Sequence, residues 1–154
     1  MKEGVLACWV GERDLKASEE KSKQLGPILS TLRARPHQQL HLLYNYAEER
    51  VETYRDWLVS QIDIEVHLHK AILESPVHYG DIYKAASQLL STLLDQFEED
   101  QISVLVSPGT PQMHAVWLLL CKTTTRKVPM LESSEEQGVG DVEVPFDIAA
   151  DFIP

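Results

Sequence analysis

A run of β-branched and apolar residues, Ile102 to Val106, ends in Ser107-Pro108-Gly109-Thr110-Pro111 and passes at once into an apolar helical pattern. Nothing between them leaves room for a hairpin partner, and a strand joined directly to a helix is the building unit of parallel α/β sheets. Pro111 suits the first helical turn, Thr110 the N-cap, and Gly109 supplies a positive φ or a close backbone approach. Free N–H groups at such a helix start, with the dipole behind them, form a site for phosphate or another anion. The hydroxyls of Ser107 and Thr110 would add donors. The alternative is an ordinary strand-to-helix turn with a capping threonine. No Gly-Lys-Ser/Thr follows, so the turn is not a P-loop, and there is no GxGxxG run.

The rest of the chain repeats this alternation. Gly4 to Val10 is a short apolar run without alternation, which predicts a strand buried on both faces. A polar stretch, Glu12 to Lys23, follows, and Gly26-Pro27 opens a helix with Ile28, Leu29 and Leu32 on one face. Gln39 to Tyr46 predicts a second strand. Glu48 to Ile62 predicts a helix, through Val51, Tyr54, Leu58 and Ile62 at helical spacing. Ile64, Val66 and Leu68 alternate with Glu65, His67 and His69, which predicts a third strand with one wet face. Tyr79 to Phe97 is amphipathic, with Ile82, Ala86, Leu89, Leu90, Leu93 and Leu94 inward. Pro111 to Lys122 predicts a helix, Val128 to Leu131 a fifth strand and Val139 to Val144 a sixth. The expected fold is a Rossmann-like, doubly wound α/β domain: a mainly parallel sheet of five to six strands, helices on both faces. Ligands of such folds gather at the carboxyl ends of the strands.

Length and charge narrow the function classes. The 154 residues make one domain. A net charge of −10 repels nucleic acid and anionic membranes as a whole, so duplex DNA binding by this domain alone is not expected. No apolar stretch approaches a membrane span, and the N-terminus lacks a signal-peptide pattern, which implies a cytoplasmic location without membrane partners. Cys8 and Cys121 are too far apart for a metal knuckle and read as buried, inert thiols. No cofactor motif is present and no metal site is expected. His67-x-His69, with Glu65 before it, would need a third ligand of suitable geometry, and reads more simply as polar residues on the solvated face of an edge strand. His78 and Tyr79 suit a helix entry, His114 a packing or dimer contact, and Glu135-Glu136 a wet loop. Met113, Val116, Trp117 and Leu120 exceed what one sheet face needs, so they predict a dimer interface.

The stretch VSPGTPQMHAVWLLLCKT resembles the Ser-x-Gly-Thr-Pro-x-Met turn and helix of CRISPR-associated Rossmann-fold (CARF) domains. ACWVGERDL near the start, and the tail LESSEEQGVGDVEVPFDIAADFIP, are similar to the N-terminal sensor domain of sigma-54-dependent activators of the RNA-repair-regulator type. The resemblance implies a single sensor domain over residues 1–154, excised from a longer chain that carries an effector. It further implies a homodimer that binds an RNA-derived ligand, a cyclic oligoadenylate or an RNA end or fragment, across its two-fold axis. Carried over, Gly11, Glu12 and Arg13 and the turn Ser107, Gly109, Thr110, Pro111 and Gln112 would line the pocket. Arg13 would meet a phosphate and Gln112 a base or ribose. No residue is assigned a catalytic role. The enzyme alternative is a metal-independent ring nuclease, in which the ligand's 2′-hydroxyl attacks the neighbouring phosphate, although these loops offer no well-placed histidine or lysine base. A bland alternative is a dimerisation domain without a ligand.

Overall fold

The computed structural model describes residues 4–20, 24–123 and 127–143. Its elements run β1 (Val5–Trp9), α1 (Glu12–Glu19), α2 (Gly26–Ala34), β2 (Gln39–Tyr44), α3 (Glu48–Gln61), β3 (Glu65–Lys70), α4 (Tyr79–Gln96), a 3-10 turn (Glu99–Gln101), β4 (Ile102–Leu105), α5 (Pro111–Thr123), β5 (Met130–Ser134) and β6 (Gly138–Asp141). The sheet order is β3-β2-β1-β4-β5-β6, parallel except for β6, which pairs antiparallel with β5. This is the doubly wound Rossmann-like sheet that the sequence predicts.

β1 is buried along its whole length because it lies between β2 and β4 and is covered on both faces. Val5, Ala7 and Trp9 join the core under α4 and α5, while Leu6, Cys8 and Val10 join the core with α1, α2 and α3. The second half of the sheet ends in a β5 that starts and stops later than Val128 to Leu131, and in a short β6. The predicted strand end at Val144 and the tail beyond it lie outside the described residues.

The stretch from Glu12 reads as polar but forms helix α1 over its first eight residues. Only Asp14, Leu15 and Ala17 turn inward. Its outer face is held by Arg50 of α3, whose guanidinium pairs with Glu12 (2.6 Å) and Glu19 (2.6 Å). That support crosses more than thirty positions of sequence, so no local pattern announces it.

Asp14 is fully buried, and among the described residues no cationic side chain bonds it. Its Oδ2 accepts the Gly11 N–H (3.0 Å) and its Oδ1 the Ile28 N–H (3.0 Å), tying the start of α1 to the start of α2. Gly26 completes the joint: its φ is +78°, and a Cβ there would lie 2.8 Å from Asp14 Oδ1. Burial pushes the Asp14 carboxyl up to about 7, against the two N–H donors that favour its charged form.

The folded chain therefore holds the Asp14 proton more tightly than the unfolded chain does. That contribution is complete below about pH 4 and is lost as pH rises to about 7. Asp14→Asn should flatten the pH dependence of stability across this window by on the order of 1 kcal/mol per pH unit. It should also lower stability, since an amide NH₂ cannot accept an N–H. Urea midpoints of both proteins at about pH 5, 6 and 7 check this; parallel slopes would refute it.

Candidate functional site

The winding direction of the chain reverses between β1 and β4, and two strand-to-helix loops splay apart at their carboxyl ends. The first is Val10-Gly11, leading into α1; the second is Val106 to Thr110, leading into α5. They touch at their base: a Cβ on Gly11 would lie 2.9 Å from the Gly109 nitrogen. Only glycine permits that approach. Two helix N-termini thus open into one crevice, each with its leading N–H groups.

The predicted turn residues are brought together and tied down. Gly109 has φ +98°, and a Cβ there would lie 2.6 Å from Met113 Sδ. Thr110 caps α5, its Oγ1 accepting the Met113 N–H (3.3 Å). The same hydroxyl donates to the Pro76 carbonyl (2.7 Å) in the loop before α4. Its proton is engaged within the chain, where the sequence suggested a free donor. Ser107 Oγ accepts the Ser133 N–H (2.7 Å) at the end of β5 and keeps its own proton available. Pro111 is exposed at the helix start, and the Gln112 Oε1 is buried without a hydrogen-bond partner.

Charge around the crevice is arranged by the fold. Glu12, which adjoins Arg13 in sequence, turns away to Arg50, and that guanidinium holds the Glu12 carboxyl below the usual range. Arg13 instead reaches Glu135 in the turn between β5 and β6 (2.7 Å), with both side chains about half exposed. A cleft of ≈ 80 Å³ beside this pair is lined by Gly26, Ser30, Ser133 and Glu135 among others. The Glu135 loop is wet, as expected, but it also supplies the partner of the one cation assigned to the pocket. Neither Pro76, Ser133 nor Glu135 carries a local sequence signal; the fold alone brings them to the loops.

The four residues expected at a dimer interface lie inside the core of the single chain. Met113, Val116, Trp117 and Leu120 are all buried within the single chain, packed with Trp9, Ile102, Val104 and α4 in one core. The apolar surplus that suggested a partner is consumed by α4, which packs directly on α5. Trp117→Glu is accordingly expected to abolish folding rather than to separate a dimer.

Other predicted residues fall where simpler roles put them. Cys8 and Cys121 are buried free thiols, both pushed up by burial. His78 is the N-cap of α4 and accepts the Asp81 N–H (3.2 Å). His114 is half-buried on α5. Among the described residues no helix is long and apolar enough to cross a membrane.

No protein-family model and no curated protein matches the chain. Solved structures do. Enterococcus italicus Csm6 bound to cyclic hexa-2'-fluoro-hexa-dAMP superposes with a TM-score of 0.76 at 14% identity, over 92% of this chain and 41% of its own. Can2 from Sulfobacillus thermosulfidooxidans in complex with cyclic tetra-adenylate gives 0.67 at 15%, over 91% of this chain and 35% of its own. Protein VC1899 from Vibrio cholerae gives 0.64 at 10% identity, over 90% and 33%. The chain spans less than half the length of each. At such identities the likeness speaks for architecture alone: this chain shares the Rossmann-like α/β fold of these proteins.

Proposed function

We propose that this chain is the ligand-sensing domain of a larger protein. It binds an RNA-derived oligonucleotide, a cyclic oligoadenylate or an RNA end, in the crevice between the Gly11 and Gly109 loops. It acts as a homodimer and controls an attached effector of the sigma-54-dependent activator kind. One observation carries the reading: two glycine loops and two helix N-termini converge at the switch point of the sheet, beside Arg13. Backbone N–H groups there bind an anion without requiring a basic surface, which suits a chain of net charge −10. Csm6 and Can2, which share the fold, hold cyclic oligonucleotides in their solved structures.

Such a sensor works by population shift, since a ligand changes the output only by binding one dimer geometry better than another. The dimer contacts on α5 fall to positions that the core leaves partly open, Ala115, Leu118 and Leu119, instead of the buried stripe. Calorimetry with cyclic tetra- and hexa-adenylate and with linear oligoadenylates, followed by product analysis, tests the reading. Binding without turnover supports a sensor. Ring-opened products of the cyclic ligands, ending in a 2′,3′-cyclic phosphate, point to the ring nuclease. No heat with any of them removes the ligand reading.

Three variants sharpen the test. Arg13→Ala should leave the fold intact, because a half-exposed ion pair contributes little, yet weaken oligonucleotide binding about tenfold with a reduced salt dependence. Glu135→Gln should tighten binding a few-fold by releasing Arg13 to the ligand; equal affinity in both variants and the parent would place the pocket elsewhere. Thr110→Ala should lower stability by about 1 kcal/mol through the lost cap, and loosen the Pro76 loop in hydrogen exchange.

A further inference from the structure

On the sheet face that carries Val5, Ala7, Ile102 and Val104 in the middle, the outer two strands change character. β2 presents Gln39 and His41, and β3 presents Glu65, His67 and His69, with Gln39 opposite Glu65 and His41 opposite His67. Three imidazoles therefore share one patch, two from the His67-x-His69 motif and a third delivered by strand register. His41 Nδ1 lies 2.9 Å from His69 Nε2. His67 stacks flat on His41, ring centroids 4.5 Å apart and planes 6° from parallel.

The outer atoms of two rings are already oriented. His41 Nε2 faces Gln39 Oε1 at 3.0 Å, an arrangement that favours the tautomer with the proton on Nε2 and the Nδ1 lone pair toward His69. His67 Nε2 faces Glu65 Oε2 at 2.6 Å, which likewise leaves its Nδ1 as the free ligand atom. An oxygen acceptor behind an imidazole is the arrangement that fixes tautomer and raises basicity in histidine–metal sites. We propose that His41 Nδ1 and His69 Nε2, joined by His67 Nδ1, bind a divalent transition-metal ion of the zinc class. The two facing nitrogens need to separate only from 2.9 Å to about 3.3 Å to accept a tetrahedral ion with Zn–N bonds near 2.0 Å. The proton between them passes from His69 Nε2, through solvent, to His69 Nδ1, so that His69 stays a neutral imidazole. As the rings stand, the His67 nitrogens do not meet those of His41 and His69, so His67 joins by turning out of the stack and giving up its Glu65 contact. An all-imidazole set selects zinc, copper or nickel over magnesium and calcium, and leaves a fourth position for water.

His69 also borders an open cavity of ≈ 500 Å³ against α4, lined by Lys70, Asp81, Lys84 and Gln88, which gives an ion a path in. A second cluster, Glu74, His78 and Asp81, places one ligand atom of each within 4.8 Å. There His78 Nδ1 accepts the Asp81 N–H and Asp81 Oδ2 the Glu74 N–H at the start of α4, while His78 Nε2 pairs with Glu74 Oε2 at 3.2 Å, and all three residues are exposed or half-buried. The histidine patch has no such local duty, and it lies apart from the Gly11–Gly109 crevice, so it stands whether or not that crevice takes an oligonucleotide.

Titration of the purified chain with ZnCl₂ by calorimetry, and with CoCl₂ by visible absorption, tests the site. One ion per chain is expected, with the intense d–d bands of tetrahedral cobalt. His69→Gln and His67→Gln should each weaken zinc binding at least tenfold, Gln39→Ala about tenfold as a supporting change, and His78→Ala not at all. Should His41→Gln fail to fold, imidazole NMR signals of the unaltered protein give the same answer: those of His41, His67 and His69 shift together on adding zinc. No binding, binding that survives His69→Gln, or loss in His78→Ala would each overturn the assignment.

Discussion

Everything at the ligand end of this domain follows from the position of β1. A strand with no polar side chain and no wet face must lie inside the sheet, and the chain leaves it in one direction toward β2 and returns on its other side at β4. The two crossovers diverge over opposite faces, so the ends of β1 and β4 cannot be capped by the same helix. The gap between them is lined by backbone. What keeps it narrow is steric: two glycines where a methyl group on either would collide with the facing loop or with Met113. What fixes the β1 side of it is Asp14, whose carboxyl ties the Gly11 N–H to the start of α2 and is sensitive to its own protonation.

Much of this was legible in the residues because the determinants are local. Proline, glycine and threonine at 108–111 specify a capped helix start, and periodicity specifies α3, α4 and the two-sided burial of β1. Three things were not legible, for one shared reason. Helix α1 is stabilised by Arg50, the Arg13 side chain is placed by Glu135, and the Met113–Leu120 stripe is buried by α4. Each depends on a partner supplied by a distant element. A count of apolar residues on one helix cannot reveal whether the face that covers them belongs to the same chain or to another.

The same limit explains why charge read along the chain misleads at the crevice. Glu12 beside Arg13 looks self-neutralising, yet the two point to different partners, one to a buttressing arginine and one across to the β5–β6 turn. The acidic total describes the far field, which governs encounter with large polyanions. A small anion placed against N–H groups would instead feel the near field of the helix ends and of Arg13.

The turn at residues 107–110 is bonded outward in two directions, Ser107 to the end of β5 and Thr110 to the loop before α4, and in a third Gly109 packs closely against Gly11 of the β1 loop. It is a junction, not a flap. Any displacement there is mechanically shared, since shifting it by less than an ångström must stretch or carry contacts to all three neighbours. A displacement of this turn would reach α4 through the Pro76 contact and α5 directly, and these two helices lie against each other on one side of the sheet. A soft loop would absorb the same displacement and report nothing.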